Sequence, residues 1–185
     1  MVVALATIAP LLVAATLAAG LAGVISVEAM IEAALVFGED AGMLTFGAMF
    51  LASPVQWATG RTQVPVRKYL GIMFFLLALS NGAMFIIESG VAAAFGAPFL
   101  IAGVVAVLLA APLFLTSSRW SQRALGIRRW RLLHRLTYLV AVALVAHVVL
   151  VGELGPGAVL IIVGFIARVP AVRRWMARRR LRRES

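Results

Sequence analysis

Two histidines and one asparagine are the residues of this chain whose types and surroundings point to chemistry. His134 and His147 are the only histidines, and both fall in one helix-length apolar stretch, Leu132 to Val151. An ionisable ring at hydrocarbon depth is costly, so its default reading is functional. Imidazole in such a place can ligate a metal, move a proton or bond a neighbouring carbonyl. Thirteen residues separate the two, which on a helix is ~20 Å along the axis and about 140° around it. One metal ion cannot be shared across that distance. Either the two histidines serve sites at different depths, or one is a ligand and the other is not. Counted from the arginine-rich end of its stretch, His147 lies ~22 Å up and Asn81, in the run FFLLALSNGAMF, lies ~18 Å up. A polar pair at matched depth on two helices marks a candidate site. Each residue also has a plainer reading. His147 can be a packing residue bonded to a carbonyl. His134, beside Arg131 and Arg135, can be an interfacial residue. Asn81 can supply an interhelical hydrogen bond worth ~1 kcal/mol.

The elements that must position these residues follow from composition. The chain has 185 residues, 63% of them hydrophobic. A soluble domain of that size has too high a surface-to-volume ratio to hide so much apolar surface. Apolar runs long enough for a ~30 Å hydrocarbon core are expected at Val2–Ile25, Ala41–Trp57, Tyr69–Ile87, Pro98–Leu115, Leu132–Val151 and Ala158–Val169. The first has no Lys or Arg before it and is long for a signal-peptide core, so it reads as a retained helix. Ser26–Asp40, with four acids among Met30, Ile31, Leu35 and Phe37, reads as a short helix lying at the membrane surface. The expected fold is an all-α integral membrane protein, a six-helix transmembrane bundle. Residues 1–169 form one transmembrane domain and 170–185 a basic tail.

Charge fixes the direction of the bundle. Arg61, Arg67 and Lys68 follow the second run. Arg119, Arg123, Arg128, Arg129, Arg131 and Arg135 join the fourth to the fifth, and the remaining arginines are at the end of the sixth. Glu28, Glu32, Glu39, Asp40, Glu88 and Glu153 fall at the alternate connections. With six spans every cation lies on one face. The positive-inside rule then places both termini in the cytoplasm. The formal charge of +10 is explained by topology and anionic headgroups, and nucleic acid is excluded as a partner. The lack of cysteine excludes disulfides, iron–sulfur clusters and thiolate metal sites. No phosphate-cradling glycine loop or nucleophile–base pair appears.

Several of these residues also form a pattern. Arg67, Lys68, Leu70 and Gly71 open the third run. Leu115-Thr116-Ser117-Ser118-Arg119-Trp120 closes the fourth. Gly126, Arg129-Trp130, Leu133-His134-Arg135-Leu136 and Tyr138 lead into the fifth, with His147 beyond. Over roughly residues 42–151 this resembles the MsrQ (YedZ) family. These are haem-binding membrane subunits of bacterial methionine-sulfoxide reductase systems, within the ferric-reductase-like transmembrane group.

The resemblance implies a bacterial inner-membrane cytochrome-like subunit with b-type haem. Electrons would pass from a quinol or another donor at the cytoplasmic side, with quinone or flavin as further cofactors, to a reductase partner at the outer face. It also implies that His147 and His134 are the candidate axial ligands of haem iron. The family's third-helix histidine falls at Asn81, a poor haem-iron ligand. Met84, one turn on, and Met49 on the second run are substitutes for it. A five-coordinate haem on His147 is another solution. The alternative function is a haem-free membrane anchor or assembly subunit that keeps the fold. Arg119, Arg123 and Trp120 are candidate contacts for a quinone or flavin phosphate, though positive-inside anchoring explains them equally.

Overall fold

The computed structural model describes residues 26–152 and 154–184; the first expected span, Val2–Ile25, lies outside them. The described chain is helical. α1 spans Val27–Thr59, α2 Val64–Ser89, α3 Pro98–Leu115, α4 Arg119–Leu125, α5 Ile127–Leu133, α6 Leu136–Val151, α7 Pro156–Arg168 and α8 Pro170–Glu184. A short 3-10 turn, Val91–Phe95, links α2 to α3. α2, α3 and α7 each carry proline in the first turn, where the missing N–H costs nothing and φ is already helical.

Two elements differ from the sequence expectation. The surface helix at Ser26–Asp40 and the span at Ala41–Trp57 are one 33-residue helix, α1. No proline separates them, and helix-forming Glu and Ala flank the two glycines there, Gly38 and Gly42. The stretch Leu132–Val151 is not one uninterrupted helix. It begins at Ile127 and is broken at His134–Arg135, where Arg135 N–H reaches back to the Leu132 carbonyl and Tyr138 N–H to that of Arg135. These i→i+3 bonds tighten the backbone for one turn.

Among the described residues, α2, α3 and the continuous stretch Ile127–Val151 are long and apolar enough to cross a membrane. A fourth crossing exists if α7 and α8, bent by 85°, count as one. α1 is longer than any of these but carries four acids, Pro54 and Gln56. From Ala41 on, most of its apolar side chains serve the interior. Phe46 and Phe50 are among the largest fully buried side chains of the described residues, and α1 packs along both α2 and α7.

Helix directions follow from the contacts. Gly38 of α1 meets Asn81 of α2, and further along Gly71 of α2 meets Met49 of α1, so this pair is antiparallel. α3 and α6 form a second antiparallel pair, from Gly103 against His147 to Thr116 against His134. α7 runs parallel to α1 at close range. A Cβ on Gly157 would lie 2.5 Å from the Met43 carbonyl carbon, and one on Gly47 would lie 2.7 Å from Leu160 Cβ. Small residues allow this approach, as in membrane helix pairs. One end of the bundle therefore carries Glu39, Asp40 and Glu88, and the other carries the lysine and arginines.

The basic half is tightly packed. Phe75 stacks on Phe114 across α2 and α3 at 4.5 Å, and Phe46, Phe50, Phe74, Tyr138 and Phe165 make further ring contacts. Pro54 has no N–H for the Phe50 carbonyl one turn back, which would leave that acceptor unpaired inside the bundle. Arg168 supplies the missing donor. Its Nη2 reaches Phe50 O at 2.7 Å, Nη1 reaches Gly164 O at 2.7 Å, and the guanidinium lies 3.8 Å from the Phe50 ring centre. Gly164 makes room, since a Cβ there would come within 2.5 Å of the Phe50 ring.

Candidate functional site

The acidic half of the bundle holds a cavity of about 610 Å³ between the α1–α2 pair and the α3–α6 pair. That lies within the ~300–1,000 Å³ usual for cofactor and small-molecule pockets. Gly38, Gly42, Gly82 and Gly103 line it, as do Phe74, Phe85 and Phe99. Gly38 lies against Asn81 and Gly103 against His147, so glycine leaves room for both side chains. Asn81 and His147 both line this cavity, one from each helix pair. The depth argument from sequence brings these two residues to one place.

His147 is held by its Nδ1, 2.6 Å from the carbonyl oxygen of Phe99. A carbonyl only accepts, so Nδ1 carries a proton; a neutral ring then keeps its lone pair on Nε2, and a ring paired with the Glu39 carboxylate carries protons on both nitrogens. Gly103 makes this possible. A Cβ there would lie 3.2 Å from His147 Nδ1, crowding the path to a carbonyl one turn earlier on the same helix. Nε2 faces Glu39, whose Oε1 is 3.4 Å away, and the Glu39 side chain is about half exposed at 48%. A histidine whose Nδ1 is fixed on a carbonyl and whose Nε2 points into a cavity is the usual arrangement of a metal-ligating imidazole.

Asn81 is held differently. Its Oδ1 is buried with no hydrogen-bond partner. A Cβ on Gly38 would stand 3.3 Å from that oxygen, so the amide lies against α1 at a point where only glycine fits comfortably. A buried acceptor without a donor costs ~1–3 kcal/mol. Such a cost is tolerated where a ligand completes the bond.

His134 is at the other end, half-buried at the break between α5 and α6. Its ring stacks on Trp130 at 3.9 Å, and Nε2 lies 3.2 Å from Thr116 Oγ1. The Thr116 hydroxyl gives its only proton to the Pro112 carbonyl at 2.6 Å, so His134 Nε2 must be the donor. Trp130 Nε1 donates to the Thr116 carbonyl at 2.8 Å, and Ser118 caps α4 by accepting from Ser121 N–H at 2.9 Å. The block Leu115–Trp120 and the residues Trp130 and His134 thus form a clasp that fixes the turn from α3 into α6.

The residues present fit a haem from one side. The cavity has the volume and apolar walls, and His147 would hold the iron through Nε2 once Glu39, now 3.4 Å from that nitrogen, moved aside. Among the described residues no group of three or more His, Cys, Asp or Glu side chains is arranged to hold a metal ion. Of the methionines read from sequence, Met49 lies against Gly71 in the basic half, and Met84 is not among the residues lining the cavity. Met43 does line it, although its Cβ is pressed against α7 beside Gly157. Glu39, Phe99 and Gly103 are the site residues that sequence reading missed.

Comparison with known proteins gives the same lineage. A family model described as the ferric reductase like transmembrane component matches residues 37–145. The haem-binding subunit MsrQ of the protein-methionine-sulfoxide reductase of Brucella anthropi is 30% identical over 124 residues, covering 63% of this chain and 56% of that protein. Those of Brucella ovis and Brucella canis are 31% identical over the same coverage. The chain thus spans little more than half the length of these relatives, and no solved structure matches it. On the family match over more than half its residues, this integral membrane protein belongs to the ferric-reductase-like transmembrane family and is similar to its MsrQ branch.

Proposed function

We propose that the chain is a membrane electron-transfer subunit that holds one b-type haem on His147 and passes electrons to a partner reductase. The observation that carries this reading is the state of His147. Its Nδ1 proton is committed to Phe99 O at 2.6 Å, so Nε2 is presented to a cavity of about 610 Å³ in a family of haem proteins. Haem supplies one-electron chemistry at that place. The protein's part is to orient the imidazole through Phe99, make room for it at Gly103, and keep water from the apolar walls. Nε2 is the atom that would hold the haem, and the half-exposed Glu39 side chain beside it would have solvent to swing into.

The topology in this reading is six spans with both termini cytoplasmic, in a bacterial inner membrane. The cavity then opens toward the outer face, where Glu39, Asp40 and Glu88 offer an acidic rim to the reductase partner. The basic end, with Arg119, Arg123 and exposed Trp120, is the side of entry from a quinol or flavin donor. His134 is the second ligand candidate. Its present contacts support a structural role, because Nε2 is already a donor to Thr116.

The test is a dithionite-reduced minus oxidised spectrum of membranes from cells supplied with a haem precursor. A haem α-band that disappears in His147→Ala is expected. A wild-type protein abundant in the membrane but without a band overturns the reading and favours the haem-free anchor. That alternative is motivated by the Glu39 contact at Nε2 and by Asn81 in place of a second histidine.

A further inference from the structure

We propose that α8 is a helix lying in the membrane plane, not the continuation of a crossing, and that its arginines bind the phosphates of anionic phospholipid headgroups. The acidic-half cavity takes no part, so this site stands apart from the function proposed above.

The bend that lays α8 down starts in the sequence. Pro170 disfavours the helical conformation at the residue before it, and Val169 is extended there, at φ −56° and ψ 131°. α8 leaves α7 at 85°. Because α7 runs alongside α1, α8 is turned nearly across the bundle axis at the basic end, where it packs on α1. Arg173 fastens it, with its guanidinium 4.8 Å from the ring centre of Trp57 near the end of α1.

Charge and apolar surface meet at this corner. Arg173, Arg174, Arg178 and Arg179 are all exposed. No Asp or Glu stands between Glu153 and Glu184, and none of the four has a carboxylate partner among the described residues. Tryptophan rings steer two of them, Arg173 on Trp57 and Arg179 on Trp175 at 4.4 Å. A ring face engages the flat of a guanidinium and leaves its edge N–H groups for oxygen acceptors. Arg174 commits its Nε to the Pro170 carbonyl at 3.3 Å and keeps its terminal nitrogens. On the α7 side of the bend, Val159, Val163 and Ile166 are exposed, at the i, i+4, i+7 spacing of one helical stripe.

An anionic phospholipid answers both features. Its acyl chains cover the α7 stripe and its phosphate meets the arginines. A soluble anion would leave the stripe bare, and a zwitterionic headgroup would bring an ammonium group to a patch that is already cationic.

The experiment titrates the full chain in detergent with short-chain phosphatidylglycerol or phosphatidylcholine and follows its thermal unfolding midpoint. Phosphatidylglycerol should raise the midpoint and phosphatidylcholine should not. The combined variant Arg174→Gln, Arg178→Gln, Arg179→Gln should bind phosphatidylglycerol roughly tenfold more weakly or worse. Arg128→Gln with Arg129→Gln, in α5, should keep the response. Equal stabilisation by both lipids, an undiminished response in the triple variant, or the same rise on inorganic phosphate at equal ionic strength overturns the inference. Depth gives a second measurement that does not rely on the triple variant, since the chain has no cysteine. Ala171→Cys and Arg178→Cys, seven residues apart on one face of α8, are each labelled with a nitroxide in vesicles of phosphatidylcholine and phosphatidylglycerol. An in-plane helix puts both labels at one depth. A separation of ~10 Å along the membrane normal, as in a crossing or projecting helix, overturns the inference.

Discussion

The two histidines lie on one continuous apolar stretch, yet they are held by opposite nitrogens. His147 gives its Nδ1 proton to a backbone carbonyl and turns Nε2 to the cavity side, where the half-exposed Glu39 carboxylate lies 3.4 Å away. His134 gives its Nε2 proton to a threonine hydroxyl and lays its ring on Trp130. The halves of the bundle around them differ in the same sense. The acidic half is glycine-lined and hollow. The basic half is filled with stacked rings, a threonine–tryptophan clasp and an arginine that repairs the hydrogen bond lost at Pro54. Two histidines in a hydrophobic helix therefore need not have one role. What distinguishes them is which nitrogen the neighbouring backbone or hydroxyl consumes.

That contrast can be broken at either end. The largest effect is expected from His147→Ala, which should remove haem binding altogether by titration while leaving the thermal unfolding of the protein close to wild type. Next is Gly103→Val. Its branched side chain would occupy the space where His147 reaches Phe99 O, so haem affinity should fall by roughly tenfold or more, about 1.4 kcal/mol, with helicity by circular dichroism unchanged.

Arg168→Ala addresses the filled half. It leaves the Phe50 carbonyl without its donor, at a cost of about 1–3 kcal/mol in stability. A lowered unfolding midpoint with unaltered haem affinity is the expected pair of results. Thr116→Val removes the hydroxyl between His134 and Pro112, with an expected loss of ~1 kcal/mol and again no change in the haem spectrum.

The smallest effect is expected at Glu39→Gln. The half-exposed carboxylate competes for Nε2 by at most ~1 kcal/mol, so haem should bind a few-fold more tightly by equilibrium titration. Weaker binding would mean that Glu39 orients His147 instead of competing with it.

Much of this was legible in residue types. The apolar runs placed α2, α3 and α6, the charge pattern separated an acidic from a basic end, and counting along the helices gave Asn81 and His147, which line one cavity, similar depths. The partners of those residues were not legible, because they depend on backbone and on absent side chains. Phe99 acts through its carbonyl and Gly103 through the Cβ it lacks, and neither leaves a chemical signature in a sequence. Glu39 was read as a surface acid because α1 was divided at Asp40, where the helix in fact continues. Arg168 looked like one more topological cation, although Pro54 at one turn beyond Phe50 creates the unpaired acceptor it satisfies. Within the block from Leu115 to Trp120, Arg119 and Trp120 read as candidate quinone or flavin contacts. Its hydroxyls turn out to cap helices and close a turn.

The most direct test is a haem titration of purified wild type, His147→Ala and His134→Ala in parallel, followed by absorbance. Wild type and His134→Ala should both saturate at one haem per chain with the same spectrum, and His147→Ala should show only unspecific uptake. Retained stoichiometric binding in His147→Ala, or its loss in His134→Ala alone, would contradict the assignment of the cavity and its histidine as the haem site.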